Sequence, residues 1–191
     1  MNLLPEQVNS VFQIAKQAIE IGLNGGVLNE GSLALFDHPQ LNEKLATFVT
    51  LNKNVELRGC IGSLQAYRTL AEDVYSNAYS AAFRDPRFKP LAEYELTDLD
   101  IDVSILTPPK LIEKCLSKRA LLDSLEPFKD GLIISDGIKR ATFLPSVWDQ
   151  LPDKEMFVNH LMRKAGIGLW SDKISCERYY VKSYSREWIN I

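Results

Sequence analysis

Apolar residues recur at helical spacing near the start of the chain. Val8, Val11, Phe12, Ala15, Ala18 and Ile19 share one face of a segment that Pro5 opens and Asn24-Gly25-Gly26 closes, which predicts an amphipathic helix over 5–22. A shorter helix is expected around 39–47. The period then changes: Thr47–Leu51 and Val55–Ser63 read as two strands joined by Asn52-Lys53-Asn54, a hairpin with a three-residue loop. Thr69-Leu70-Ala71-Glu72 is a capping-box pattern that opens a helix through about Phe83, ended by Pro86 and Pro90. Leu99, Ile101, Val103 and Ile105 alternate with Asp98, Asp100, Asp102 and Ser104, the signature of a half-buried strand that Pro108-Pro109 stops.

The second half repeats this order. A helical segment is expected at about 117–125, and strands at 131–135 and 138–144 are joined by Asp136-Gly137, a strong hairpin signal. A helix follows from Asp153 to Ala165, N-capped by Asp153 and stopped by Gly166, and a last strand lies near 174–183. Helix, strand, strand, helix, strand therefore occurs twice, over roughly 5–106 and 117–184. The expected fold class is α+β with mostly antiparallel sheets. It is read as a single domain over 1–191 made of two packed lobes, about 1–110 and 111–191, whose repeated order suggests an internal duplication.

Composition narrows the function. The 191 residues carry 22 Lys plus Arg against 25 Asp plus Glu, a formal charge of −3, so the basic footprint of a nucleic-acid binder is missing. No apolar run approaches the ~18 residues of a membrane span, and Met1–Glu6 shows no basic region followed by an apolar stretch. A cytoplasmic protein without membrane or nucleic-acid partners is expected. Cys60, Cys115 and Cys176 are scattered singly, as suits reduced thiols. Phosphate-loop, dinucleotide, zinc and nucleophile-elbow motifs are missing. Asp98-x-Asp100-x-Asp102 places Val103 and Pro109 where a calcium loop needs glycine and glutamate. No metal and no cofactor is expected.

The densest chemistry is Leu57-Arg58-Gly59-Cys60-Ile61-Gly62. Strand alternation puts Arg58 and Cys60 on one face, where a guanidinium would favour the thiolate and create a nucleophile. Gly59 and Gly62 bracket the thiol, marking close approach by ligand or backbone. Tight packing where a helix crosses the sheet explains the same residues, since free cysteine also behaves as a small hydrophobe. A second cluster is Arg84-Asp85-Pro86-Arg87-Phe88 at the end of the capped helix. Arg84 and Arg87 suit either the helix carbonyls or a clamp on a carboxylate or phosphate. Trp148 reads as a core anchor, and Cys115 and Cys176 as packing residues.

Leu57–Gly62 strongly resembles the hallmark hexapeptide of the AMMECR domain family. Further blocks agree in order: Arg84–Phe88, Ile101–Pro108, and Phe143–Trp148 with Lys164-Ala165-Gly166. Lys139-Arg140-Ala141 departs from the glycine-rich residues common in that family. The resemblance implies a two-lobed α+β domain with the hexapeptide beside a cleft, no settled activity, and a pathway shared with a Memo-like protein and a radical S-adenosylmethionine protein. Carried over by position, Arg58, Gly59, Cys60 and Gly62 are the site residues, with Arg84, Asp85 and Arg87 secondary. Two functions stay open. Cys60 and Arg58 act catalytically on a small anionic substrate, with Gly59, Gly62, Arg84, Asp85 and Arg87 binding it. Alternatively, the same cleft belongs to a non-catalytic binding or adaptor domain.

Overall fold

The amphipathic opening segment forms helix α1 (Pro5–Leu23), with proline in its first turn and Val11, Phe12, Ile14, Ala15, Ala18 and Ile19 buried. The computed structural model of the chain describes residues 3–26, 38–113 and 117–191; Cys115 lies outside them. After a single 3-10 turn at Pro39–Asn42, where a longer helix was expected, come strands β1 (Ala46–Lys53) and β2 (Glu56–Gly62). Helix α2 (Leu70–Phe83) follows its predicted capping box. Thr69 N–H donates to the Glu72 carboxylate at 2.8 Å, and Glu72 N–H to the Thr69 hydroxyl at 3.3 Å. A 3-10 segment (Glu93–Asp98) leads into β3 (Leu99–Leu106).

The second half contributes β4 (Lys110–Leu111), α3 (Lys118–Ser124), β5 (Gly131–Asp136), β6 (Lys139–Phe143), α4 (Lys154–Ala165), β7 (Ser175–Tyr179) and β8 (Val181–Glu187). Asp153 caps α4 by accepting from Met156 N–H at 2.8 Å, and Gly166 ends it in the left-handed region at φ 72°.

Among the described residues the strands form two four-stranded antiparallel sheets, in the orders β2-β1-β3-β8 and β4-β7-β5-β6. The chain divides into two units, Met1–Leu106 with Lys182–Ile191, and Thr107–Val181. Each has its own core. In the first, α1 and α2 bury their apolar faces with Val49, Leu51, Ile101 and Val103 of the sheet. In the second, Trp148 is fully buried and stacked on Phe157 at 3.6 Å, and its indole N–H donates to the Asp130 carbonyl at 2.8 Å. Cys176 is buried there as a packing residue.

The predicted α+β class holds, and so does the repeated order. In both units a hairpin's first strand pairs on its other side with the strand after the helix: β1 with β2 and β3, β5 with β6 and β7. These matching connections are those an internal duplication leaves.

Three further details differ from expectation. The first hairpin turns on Asn54-Val55, both left-handed at φ 52° and 71°; a β-branched residue is the least expected occupant of such a turn, so Val55 read as strand. The second turns on Gly137-Ile138, one residue later than expected. The single strand expected at 174–183 is two, because the chain passes at Tyr180 from β7 into β8. Lys182–Ile191 thereby return to the first unit, where Tyr184 and Trp188 pack against its core.

Candidate functional site

The hexapeptide lies on β2, the edge strand of the first sheet. An edge strand leaves outward N–H and C=O groups without a ladder partner. At Cys60 the turn after α2 supplies both partners. Cys60 N–H donates to Asp85 Oδ2 at 2.9 Å, and Arg87 Nη2 donates to the Cys60 carbonyl at 3.2 Å.

Asp85 has only 2% of its side chain exposed and also accepts from Arg87, through the main-chain N–H at 3.1 Å, Nε at 2.9 Å and Nη2 at 2.7 Å. The forked Arg87 bond, followed by the Cys60 and Arg87 amides, holds the Asp85 carboxyl well below the usual carboxylate range against the opposing effect of burial. The Arg87 side chain itself is 53% exposed.

Gly59 explains how that turn reaches the strand. A Cβ there would stand 2.2 Å from the Ala81 carbonyl oxygen, so the α2 backbone crosses directly over β2. Gly62 is equally confined, by the Phe48 ring at 2.3 Å and the Thr47 carbonyl at 2.6 Å. Packing thus accounts for both glycines that bracket the thiol.

Regular alternation does not run unbroken to Arg58. Leu51 pairs with Gly59 but Asn52 with Leu57, so Arg58 is the extra residue of a bulge and the two-residue period from Cys60 breaks there. Its guanidinium forks onto Glu95, Nε to Oε1 at 2.8 Å and Nη2 to Oε2 at 2.9 Å, and Nη2 also reaches the Lys89 carbonyl at 3.0 Å. Glu95 is 9% exposed, accepts from Ala92 N–H at 3.0 Å and has Lys53 Nζ 3.6 Å away. Arg58 pulls the Glu95 carboxyl down to about 2, with the Ala92 amide assisting and burial opposing. Arg58 Nη1 is buried without a hydrogen-bond partner among the described residues. The two arginines meet at Phe88, whose ring centre lies 5.8 Å from Arg58 Cζ and 5.5 Å from Arg87 Cζ.

The half-buried Cys60 sulfur accepts the Thr50 hydroxyl at 3.2 Å. Thr50 stands directly opposite on β1 and has Asp102 as its β3 neighbour. The structure therefore gathers Cys60, Gly59, Asp85 and Arg87 around one strand position and ties in Arg58 through Phe88. Arg84 stays outside this cluster, exposed, with its guanidinium 5.0 Å from the Tyr79 ring centre. Thr50 was missed in the sequence because the true turn sets the register that brings it opposite Cys60, and Glu95 because it comes from the 3-10 segment before β3. Among the described residues no group of three or more His, Cys, Asp or Glu side chains is arranged to hold a metal.

A second buried carboxylate, also missed, braces the far end of β2. Asp73 on α2 accepts from Thr47 N–H and hydroxyl, Asn77, Ser63 and Arg68, fixing both ends of the loop between β2 and α2.

Known proteins share this frame. The AMMECR1 family model matches residues 12–184. A protein of Thermococcus onnurineus is 40% identical over 175 residues, covering 85% of this chain and 82% of its own length. Protein MJ0810 of Methanocaldococcus jannaschii is 38% identical over 143 residues, 71% of this chain and 69% of its own. The crystal structure of the uncharacterised protein PH0010 from Pyrococcus horikoshii superposes with a TM-score of 0.77 at 30% identity, covering 97% of this chain and 94% of that one.

Proposed function

The chain belongs to the AMMECR1 family, and on that premise we propose that it works as a thiol site for a small anionic substrate, with the Cys60 sulfur as nucleophile. The observation that carries this reading is the division of labour at one residue. The Cys60 main chain is held at both its N–H and its C=O by Asp85 and Arg87, while its half-buried sulfur takes one hydroxyl hydrogen bond. Fixing the backbone while leaving the sulfur lightly engaged suits a group that must meet an electrophile in one orientation. Arg87 is exposed beside it, and Arg58 adds a buried N–H without a partner. An unpaired buried donor costs about 1–3 kcal/mol, which a ligand oxygen would relieve.

No helix among the described residues is long and apolar enough to cross a membrane. The proposed setting is the cytoplasm, in a pathway with a Memo-like protein and a radical S-adenosylmethionine protein.

A non-catalytic docking domain is the second reading. Each arginine already carries a carboxylate, and the apolar side chains of Val55, Leu57 and Tyr94 are exposed on the β1–β2 hairpin and just before β3. Complementation of a deletion strain separates the two, with metabolite profiling as the readout. The nucleophile reading expects Cys60→Ser to leave the deletion profile uncorrected while wild type corrects it. Full correction by Cys60→Ser overturns that reading and favours docking.

A further inference from the structure

Resting on that reading of Cys60, we infer that Thr50 is the positioning residue of the thiol: its hydroxyl orients the Cys60 sulfur and stabilises negative charge on it. Thr50 Oγ1 lies 3.2 Å from Cys60 Sγ, and the two residues are directly opposed in the β1–β2 ladder. The hydrogen bond therefore spans adjacent strands at a fixed register and does not depend on a loop. A hydroxyl has one proton to donate. The competing acceptor is Asp102, Thr50's neighbour on β3, and its Oδ2 is already occupied by Asn52 Nδ2 at 2.7 Å. Asp102 thus takes the Asn52 amide, while the Thr50 hydroxyl proton goes to the sulfur.

The charged groups around Cys60 make their hydrogen bonds to other atoms, although Arg87 also faces the Cys60 charge through space. Asp85 and Arg87, from the turn after α2, meet its main chain and each other. Arg58 on β2 is forked onto Glu95. Of the groups with resolved contacts to Cys60, Thr50 is the one that donates to sulfur, and a donor to the charged form favours that form.

The test is the pH dependence of alkylation at Cys60 by iodoacetamide in the folded full-length protein, read by peptide mass spectrometry. In that step a sulfur–carbon bond forms, the carbon–iodine bond breaks, iodide leaves and the thiol proton passes to solvent. Thr50→Val keeps the branched shape without the hydroxyl, and Thr50→Ser keeps the hydroxyl. Thr50→Val is expected to move the midpoint of the rate profile upward by about half a pH unit or more, while Thr50→Ser retains the wild-type midpoint. Superposable profiles for wild type and Thr50→Val overturn the role of Thr50 and leave the nucleophile reading standing. A wild-type Cys60 that resists alkylation across the range overturns that reading as well.

Discussion

At Cys60 one buried carboxylate and one exposed guanidinium replace the neighbouring strand that an edge position lacks. The expectation that Arg58 stands beside the thiol rested on strict two-residue alternation, and a single extra residue in the ladder interrupts that alternation. The cluster was legible as residue types: Cys60, Asp85 and Arg87 do converge. Their pairing was not, because a buried partner such as Glu95 carries no local mark in the sequence and is set by the 3-10 segment before β3. The Arg58–Glu95 pair has a signed consequence. Its carboxyl sits at about 2 in the folded protein against an ordinary 4.5, so the unfolded chain binds the proton first as pH falls. The pair's contribution is complete at neutral pH and fades from about pH 4.5 towards 2. Glu95→Gln should be less stable than wild type by about 3 kcal/mol at pH 7, and urea unfolding at pH 7, 4 and 3 should show that gap closing. A gap independent of pH would mean that the ionised pair is not its source.

Among the elements, the helices were the most legible. Pro5, the Thr69–Glu72 box, Asp153 and Gly166 are terminus signals that act within one turn, and each stands at a helix end as expected. The hairpins were legible as pairs but shifted in register, because Asn54-Val55 and Gly137-Ile138 place a β-branched residue where turn chemistry favours glycine or asparagine. That shift matters, since register decides that Thr50 and not a neighbour faces Cys60. Helix α2 meets β2 backbone to backbone at Gly59, and that contact sets where the Asp85–Arg87 turn lands. A methyl group cannot be accommodated 2.2 Å from a helical carbonyl. Gly59→Ala should therefore destabilise the protein by about 3 kcal/mol in chemical denaturation and slow Cys60 alkylation in the fraction that remains folded. Wild-type stability in this variant would show that the crossing is looser than described.

Over the whole chain, the repeated order of elements was readable because each half carries its own punctuation. The return of Lys182–Ile191 to the first unit was not, since a strand's choice of neighbour is a tertiary matter. The two units can also be compared position by position. Counting back four residues from each hairpin turn gives Thr50 and Ile133, whose partners across the hairpin are Cys60 and Thr142. The carbonyl of Thr142 accepts Lys164 Nζ at 3.0 Å, as that of Cys60 accepts Arg87. The second unit keeps the cation on the carbonyl but carries a buried hydroxyl, held by the Leu132 carbonyl at 3.0 Å and paired with the Tyr179 hydroxyl at 2.9 Å, in place of the thiol. Whether the first unit presents Cys60 for chemistry can be read from brief iodoacetamide treatment of the native protein at neutral pH, with each modified cysteine mapped. Cys60 should be modified rapidly while the fully buried Cys176 stays protected until unfolding. Equal protection of Cys60 and Cys176 in the native state would contradict it.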